Sequence, residues 1–532
     1  MVTHGFAADI VAQSGVNLET NPVVSETMTK FSDEGSSDSA KADRPIFDVR
    51  LFGAGGNGIT LDTEAIQKAI DAAASAGGGF VRLAPGKYLC GSLILKSHVT
   101  MWLDKGAVLL GSPHRADYSK LDFYGLLLAE GQEDIGIAGE GVIDGQGALL
   151  VADTRKMMPQ RNPPYADESQ RPFIINFRNC RNVVVRDITF KESSCWVQDY
   201  HNCKNLTVEN VKVRTCAAIT NDGLDIDGCS DVVVRGCDID SEDDGICLKS
   251  SDSLCENILV ENCRVRSSSN AFKLGTASVK GFKNITCRNL EIYDTYCSGI
   301  ALESVDGSEL ENVNISHINI TNTGNAVFVR LGHRNTGRLV GTLQNVTISD
   351  VSAQIISRAR QELNKFPTDW LNKRNNGMFY LYPVIITGIP NYPIRDLTLK
   401  NISIAVDGAG DGSKIKKSLP REMSTVPECE DRFPSCTMFG ELPAWDIYCR
   451  HVNGIKFDNV TSQVKGEDFR PALVCEDVKR ITLERFRISS AGNEPVIVLK
   501  DVDGAIIRDS PAQQKGVHFL ETLGACRNIQ SQ

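Results

Sequence analysis

The sequence lacks the features that mark several common functional classes. No uncharged apolar run approaches the roughly 20 residues that a membrane-spanning helix needs. Basic residues do not predominate, since 57 Lys and Arg against 67 Asp and Glu give 532 residues a formal net charge of −10. This balance argues against broad electrostatic capture of nucleic acid or of an anionic membrane surface. We therefore expect neither a nucleic-acid partner nor a membrane span.

The cysteines lack the spacing of a metal site. The chain has 17 of them, an odd number, so at least one thiol stays unpaired within the chain. Most occur about once per short repeat, which predicts small buried apolar side chains. Cys429 and Cys436, in a Pro-rich stretch, form the most plausible local disulfide. No pair has the spacing and recurrence of a zinc site, and no nucleotide, flavin or metal cofactor is expected.

The first part of the chain lacks an evident export signal. Residues 1–44 are rich in Ser, Asp, Thr and Ala, without a basic start and a continuous apolar core after it. Their lack of periodicity predicts a flexible leader. We expect the folded domain over residues 45–532, with an insertion at about 408–446. An amphipathic helix is predicted from about Asp62 to Ala74, where it would close one end of the domain.

Helical periodicity is scarce after Gly79, and a short repeat takes its place. A template with an apolar first residue and Asn or Asp third begins at Cys180, Cys203, Cys229, Cys255, Phe282, Leu310, Leu343 and Ile394. The first five starts are 23 to 27 residues apart, whereas a propeller blade needs about 40. Such a period, with short strands and no helix, predicts a parallel β-helix in which each coil stacks on the next.

Some asparagines of the repeat also match the glycosylation sequon. Asparagine tolerates a left-handed backbone and bonds to turn amides, which suits the bends between strands. We therefore interpret these asparagines as bend and ladder positions: Asn205, Asn284, Asn314, Asn319, Asn345, Asn401 and Asn459.

Acidic side chains are densest in two consecutive repeats. The first contains Asp222 and Asp225, and the second contains Asp243 and Asp244. Asp222 and Asp243 are 21 positions apart, close to one coil, so the carboxylates should converge on one face. Clustered carboxylates raise one another's pKa, as acid-base hydrolysis of a glycosidic bond requires. A calcium site or a solvated acidic face would use the same residues.

Five longer motifs together resemble a known family. They are Phe52-Gly-Ala-Gly-Gly-Asn-Gly, Pro85-Gly-Lys-Tyr, Gly141-Val-Ile-Asp-Gly-Gln-Gly, Asn221-Asp-Gly-Leu-Asp-Ile and Asp243-Asp-Gly-Ile-Cys-Leu-Lys-Ser. On these motifs, over residues 46–510, the chain resembles glycoside hydrolase family 28, the polygalacturonase family of pectin-degrading enzymes.

The resemblance implies a fold and a reaction. The fold would be all-β, a right-handed single-stranded parallel β-helix of the pectin lyase-like type with an N-terminal capping helix. The reaction would be hydrolysis of a polysaccharide or oligosaccharide with inversion at the anomeric carbon. Asp243 would be the general acid on the glycosidic oxygen, while Asp222 and Asp244 would activate water. Members of the family are usually secreted or periplasmic.

The chain departs from the family pattern at two places. Asn270 stands where polygalacturonases have the histidine of Gly-His-Gly. Ala301 and Glu303 stand at the two cationic positions of Arg-Ile-Lys, the motif that holds the galacturonate carboxylate. A negative Glu303 would repel a uronate in that pose.

Four other residues are candidates for substrate contact. Lys273 could pair with Asp243 or Asp244, or hold a substrate carboxylate. Arg330 and His333 could bind anions or hydroxyls, and Trp196 could stack on a sugar face. The insertion could overhang the cleft and block one end, which would make the enzyme exo-acting.

Two alternatives remain open from the sequence. A calcium-dependent polysaccharide lyase of the same architecture would use the aspartates as metal ligands and a basic residue to abstract a proton. A non-catalytic carbohydrate-binding β-helix would keep the fold without turnover. The altered cationic positions also admit rhamnose or galactose at the scissile bond.

Overall fold

The computed structural model describes residues 44–157, 168–355, 382–406, 426–466, 468, 470–489, 495–510 and 518–531. The leader predicted over residues 1–44 lies outside these ranges except for Arg44, and so do residues 408–425 of the expected insertion. Among the described residues, no helix is long and apolar enough to cross a membrane.

Short strands make up most of the regular structure. Those of the first coils are β1 Ile46–Asp48, β2 Asn57–Leu61, β3 Gly79–Leu83, β4 Gly86–Cys90, β5 Leu93–Ile94, β6 Val99–Leu103, β7 Ala107–Gly111, β8 Gly125–Glu130, β9 Gly136–Ala138 and β10 Val142–Asp144. Those of the middle coils are β11 Phe173–Arg178, β12 Arg181–Arg186, β13 Thr189–Lys191, β14 Gln198–His201, β15 Lys204–Glu209, β16 Lys212–Arg214, β17 Leu224–Asp227, β18 Ser230–Arg235, β19 Asp238–Ser241, β20 Ile246–Ser250, β21 Cys255–Glu261, β22 Arg264–Ser267 and β23 Phe272–Ser278. Those of the last coils are β24 Phe282–Tyr293, β25 Ser298–Ser304, β26 Glu309–Thr323, β27 Asn325–Leu331, β28 Thr342–Ile355, β29 Val384–Thr387, β30 Ile394–Val406, β31 Ile447–Val464, β32 Leu473–Glu484, β33 Arg487–Ile488, β34 Ile497–Lys500, β35 Asp503–Arg508, β36 Leu520–Leu523 and β37 Arg527–Ser531.

The strands stack into three parallel ladders, and each complete coil adds one strand to each ladder. The first ladder starts with β1, β3, β6, β9 and β12, and the second with β2, β4, β7, β10 and β13. The third, here called the cleft sheet, consists of β5, β8, β11, β14, β17, β20, β23, β25, β27, β29, the first residues of β31 and β32, β34 and β36. The parallel β-helix predicted from the repeat period is confirmed.

The interior is one apolar core that runs the length of the stack. The apolar first residue of the template forms one of its layers, in which Cys180, Cys203, Cys229 and Cys255 are completely or almost completely buried. All 17 cysteines are unbridged. The disulfide expected between Cys429 and Cys436 is therefore absent, and the Cys429 thiol instead donates to the carbonyl of Met438 over 3.5 Å.

Asparagines line the bends between ladders, as the template predicted. Five of the seven sequon asparagines have a left-handed backbone, with φ between 52° and 57°: Asn205, Asn284, Asn345, Asn401 and Asn459. Their side chains bond along the stack, as in the 3.1 Å bond from Asn284 to Asn257 of the previous coil. Asn314 and Asn319 differ, because they lie within β26 and keep an extended backbone.

Two α-helices accompany the strands among the described residues. The first, α1 (Thr63–Ser75), matches the predicted capping helix, and Ile66, Ala69, Ile70 and Ala73 are buried against the first coils. The second, α2 (Gly147–Met157), was not predicted, because its apolar periodicity is short. Three short 3-10 helices span Val49–Phe52, Arg115–Asp117 and Glu168–Gln170.

A second, smaller core lies outside the stack. Residues 426–446, here called the roof segment, pack on the outer face of the cleft sheet in its later coils. The sheet contributes Ala301, Phe328, Ile385, Tyr448, Val474 and Val498, and the roof segment contributes Val426, Cys429, Cys436, Phe439, Leu442 and Ala444. The outer face of one sheet is thus covered at one end by chain from a distant position in the sequence.

Candidate active site

The acidic cluster lies where the chain enters β17 and β20 of the cleft sheet. Leu224 and Ile246 are direct partners in these two strands, so the residues that precede them are neighbours. The amide of Asp243 donates to the carbonyl of Asn221 over 3.4 Å. The two repeats therefore meet at one cleft, as expected, and it brings together Asp222, Asp243 and Asp244.

Five consecutive coils and the roof segment line this cleft. Each coil contributes residues just before its strand in the cleft sheet, and β20 and β23 also contribute residues within the strand. The lining consists of Trp196, Thr220, Asp222, Glu242, Asp243, Asp244, Lys249, Ser268, Ser269, Asn270, Lys273, Thr276, Cys297, Phe433, Pro434 and Ser435. Of the predicted substrate-binding residues, Trp196, Asn270 and Lys273 are present, whereas Glu303, Arg330 and His333 are not.

A lysine ammonium occupies the centre of the acidic cluster. Lys249 Nζ lies 2.5 Å from Asp225, 3.0 Å from the Cys247 sulfur and 3.6 Å from Asp222. These three residues are the one described group whose atoms are close enough together to hold a metal ion. Because the carboxylates raise the pKa of the buried Lys249, a fixed cation already fills that position. This arrangement disfavours the calcium alternative.

The surroundings of Asp222 favour its neutral form. Burial raises the pKa of Asp222 well above its ordinary value, and the nearby carboxylates of Asp225 and Asp243 raise it further. Burial likewise raises the pKa of Asp225 to about 6, although Lys249 opposes the shift. Burial and the neighbouring carboxylates therefore shift this part of the cleft towards retaining a proton.

The surroundings of Asp244 favour its charged form. Lys273 Nζ lies 2.8 Å from Oδ2 of Asp244, and the side-chain amide of Asn270 donates to Oδ1 over 2.8 Å. Burial alone would raise the pKa of Asp244, but Lys273, Lys249 and the bond from Asn270 lower it to about 2. The cleft thus separates a proton-retaining carboxyl from an ionised one, as acid-base catalysis requires.

Comparisons of the sequence and the fold with known proteins relate the chain to one family. The model of glycosyl hydrolases family 28 matches residues 117–365. A probable polygalacturonase of Vitis vinifera is 25% identical over 374 residues, which cover 66% of this chain and 68% of the relative. An exo-poly-alpha-D-galacturonosidase of Dickeya chrysanthemi is 26% identical over 250 residues, but these cover only 38% of this chain and 41% of the relative. The fold matches the Yersinia enterocolitica family 28 exopolygalacturonase with a TM-score of 0.58 at 17% identity, over 88% of this chain and 78% of that chain.

The chain is similar to glycosyl hydrolases family 28 over the coils that carry the acidic cluster. It is therefore a glycoside hydrolase. The family 28 resemblance inferred from the motifs is confirmed, and so is the parallel β-helix that it implied.

Two positions at which polygalacturonases have cationic residues hold other residues in this hydrolase, and neither position lines the open cleft. Ala301 is completely buried in the second core beneath the roof segment. Glu303 is 1% exposed and lies 3.7 Å from Lys273. Because burial outweighs the effect of Lys273, the pKa of Glu303 rises to about 7. The expectation that Glu303 repels a uronate is therefore revised. Its carboxyl group lies beside Lys273 and does not line the cleft.

Arg330 and His333 hold the roof segment and are not among the residues that line the cleft. The Arg330 guanidinium donates to the carbonyls of Glu428 and Cys429 over 2.8 and 3.0 Å and to that of Gly388 over 2.9 Å. The amide of His333 donates to the carbonyl of Glu430 over 2.7 Å. These structural contacts replace the expected substrate contacts of both residues. The Arg330 side chain is 1% exposed, and its terminal donors are bonded to the protein.

Trp196 lines the cleft, and two side chains of the protein contact its ring. Phe173 of the preceding coil stacks on the indole with ring centroids 5.3 Å apart. Lys249, from a later coil, lies 4.5 Å from the ring centroid. Phe173 and Lys249 thus contact the ring, and a cation–π contact with Trp196 supports Lys249. Stacking of Trp196 on a sugar stays a prediction.

Three residues of the site were not predicted from the sequence. Lys249 stands inside the second catalytic motif, and its outward position could have been found from the alternation of β20. Glu242 directly precedes Asp243, and its place in the lining follows from that adjacency. Phe433 gave no signal, because its segment meets the cleft only through the fold.

Proposed function

We propose that this hydrolase cleaves glycosidic bonds of pectic polysaccharides or oligosaccharides with inversion at the anomeric carbon. Asp243 donates a proton to the leaving oxygen, Asp244 deprotonates the attacking water, and the neutral Asp222 helps to orient that water. The observation that carries the proposal is the pairing of an ionised Asp244 with a proton-retaining group around Asp222 in one cleft. Inverting hydrolysis needs an acid and a base of this kind on opposite sides of the bond.

The two lysines give the cleft a balanced charge. Lys249 and Lys273 stand among Asp222, Asp225 and Asp244, so the carboxylates do not create an unopposed negative field. We propose that a uronate-containing substrate is accepted on this account, with Lys273 as the cation nearest to its carboxylate. The names of the polygalacturonase relatives support a pectic substrate. Such a substrate also places the protein outside the cytoplasm, as is usual for the family.

We further propose an exo-acting mode. Phe433, Pro434 and Ser435 of the roof segment line the cleft, and the second core lies directly behind them. A polymer could not continue along the cleft sheet past Lys273 without displacing these apolar contacts. Cleavage near a chain end follows, with a small product released at each turnover.

The test is product release from homogalacturonan, rhamnogalacturonan and β-1,4-galactan oligosaccharides, with products resolved by size and anomeric form. A saturated small product of inverted configuration, formed in the presence of chelator, is expected. Asp243→Asn should abolish its release. Its matched control is Asp231→Asn, a carboxylate at a bend of the first ladder, which should leave release unchanged.

Three results would contradict the proposal. Unsaturated products absorbing in the ultraviolet, lost with chelator, would identify a lyase. Mixed long products would exclude the exo mode while retaining hydrolysis. Binding without release from any oligosaccharide, unaffected by Asp243→Asn, would indicate a carbohydrate-binding protein.

A further inference from the structure

We propose that Glu242 is a substrate-contacting residue, and that its carboxyl group donates a hydrogen bond to a sugar hydroxyl bound in the cleft. The inference rests on the proposed function of the same cleft and adds a determinant of substrate binding to it. None of the three proposed catalytic roles involves Glu242.

The position of Glu242 carries the inference. Its side chain lines the cleft next to Asp243, yet the residue is only 4% exposed. Its Oε2 atom has no hydrogen-bond partner among the described residues. Buried carboxyl oxygens are costly to leave unpaired, so an unpaired one in a cleft wall needs an explanation. A sugar in the cleft would supply the missing partner.

The groups around Glu242 determine which form it presents. Asp243 faces it with a like charge, the Asn221 amide faces it as a donor, and the two cations nearby are Arg171 and Arg266. Burial and Asp243 prevail, and the pKa of Glu242 rises to about 9. The Glu242 carboxyl is therefore neutral at physiological pH and offers an O–H donor.

Neither arginine is placed to convert Glu242 into an ion pair. Arg171 donates to the carbonyls of Ser194 and Ile219 over 2.8 and 2.7 Å and to the Thr220 hydroxyl over 2.6 Å. Arg266 donates to the carbonyl of Ser241 over 3.0 Å. Most of their guanidinium donors thus bond to backbone and hydroxyl groups of the cleft wall, and Arg266 also lies 3.5 Å from the Asp240 carboxylate.

A sugar hydroxyl is the acceptor that fits these surroundings. The hydroxyl oxygen accepts the hydrogen bond from Glu242 and brings no charge beside Asp243. A uronate carboxylate at the same place would bring a third acidic group beside Glu242 and Asp243. The uronate group is therefore expected on the Lys273 side of the cleft, and Glu242 is expected to contact the hydroxyl-bearing edge of the sugar.

The experiment compares Glu242→Gln with Glu242→Ala, using trigalacturonate and a rhamnogalacturonan tetrasaccharide as probes. The amide of Gln keeps a donor of similar shape, so the KM of Glu242→Gln should stay within about 3-fold of the unaltered enzyme. Glu242→Ala should raise KM about 10-fold. In the unaltered enzyme KM should rise as pH passes through 9, because an ionised carboxyl cannot donate, whereas Glu242→Gln should show no such rise.

The outcomes separate the inference from its foundation. Absence of hydrolysis by the unaltered enzyme contradicts the proposed function, and the same variants are then compared by calorimetric binding of the two probes. Equal affinity of Glu242→Ala and the unaltered protein overturns the inference. So does an equal loss in both variants, or an alkaline rise in KM that persists in Glu242→Gln. Thermal unfolding of each variant shows whether a change reflects binding or folding.

Discussion

One row of side chains on the outer face of the cleft sheet divides into two halves of opposite character. One row of register partners runs through Asn176, Asp199, Asp225, Cys247 and Lys273 in the earlier coils, then through Ala301, Phe328, Ile385, Tyr448, Val474 and Val498 in the later ones. The first half is mostly polar and borders the cleft, whereas the second half is apolar apart from the Tyr448 hydroxyl and buried under the roof segment.

The change occurs between Lys273 and Ala301, which are direct partners in neighbouring strands. Ala301 is also the first of the two positions where the polygalacturonase pattern has a cation. One coil therefore ends the catalytic surface and begins a surface for packing. The comparison teaches that a β-helix can assign successive positions of a single row to different tasks, because each coil contributes its own side chain.

The largest expected effect comes from the polar half. Asp244→Asn removes the ionised carboxylate while keeping its size, and kcat should fall by about 10²- to 10⁴-fold. Steady-state kinetics on the best oligosaccharide substrate measures this. Thermal unfolding should change little, and a kcat close to that of the unaltered enzyme would remove Asp244 from the mechanism.

The next effect is expected from the apolar half. Phe328→Ala empties a completely buried position between the sheet and the roof segment, and should lower the free energy of unfolding by about 3–5 kcal/mol. Denaturant titration measures the loss, with the conservative Phe328→Leu as the control. If Phe328→Ala is no less stable than Phe328→Leu, the second core does not hold the roof segment as described.

Lys273→Met tests the boundary between the halves. Without the ammonium the pKa of Asp244 should rise from about 2 towards or above its ordinary value. The proposed base must be ionised, so the acid limb of the kcat/KM profile should move to higher pH. Below the new pKa, kcat/KM should fall roughly tenfold per pH unit. Lys273→Arg should largely restore the profile. An unshifted acid limb in Lys273→Met would show that Lys273 does not control Asp244.

The smallest effect concerns the attachment of the roof segment. His451 lies 2.7 Å from Asp477 and 3.1 Å from Glu428, next to the ion pair between Arg450 and Glu428. Although burial opposes it, bonding to Glu428 and Asp477 raises the pKa of His451 above its ordinary value. The stabilisation is thus complete below the unfolded value of about 6.5 and is lost as pH rises through the folded pKa.

His451→Gln should accordingly cost on the order of 1 kcal/mol of unfolding free energy in mildly acidic solution, and less as the pH rises. Denaturant titrations of both proteins across this range measure the difference. A difference that stays constant or grows with pH would contradict the assignment of charge to His451.

Much of the fold and part of the site were accessible from the sequence. The capping helix α1 followed from its apolar period, and the convergence of Asp222 with Asp243 followed from a spacing close to one coil. The expected contacts of Arg330, His333 and Glu303 were wrong for one physical reason. The strands of Arg330 and Glu303 do point these side chains away from the core, and His333 follows the strand of Arg330, but the roof segment or a neighbouring lysine reaches them first.

The sequence by itself determined the β-helix and the position of its catalytic motifs, because the repeat period and the apolar template decide which side chains face inward in every coil. Only the tertiary structure decided which carboxylates are charged. Lys249 and Lys273 come from different coils, and burial favours the neutral form of Asp222 while Lys273 and Asn270 keep Asp244 ionised. The lining of the cleft likewise includes Phe433, 160 positions beyond Lys273, a contact that no local pattern encodes.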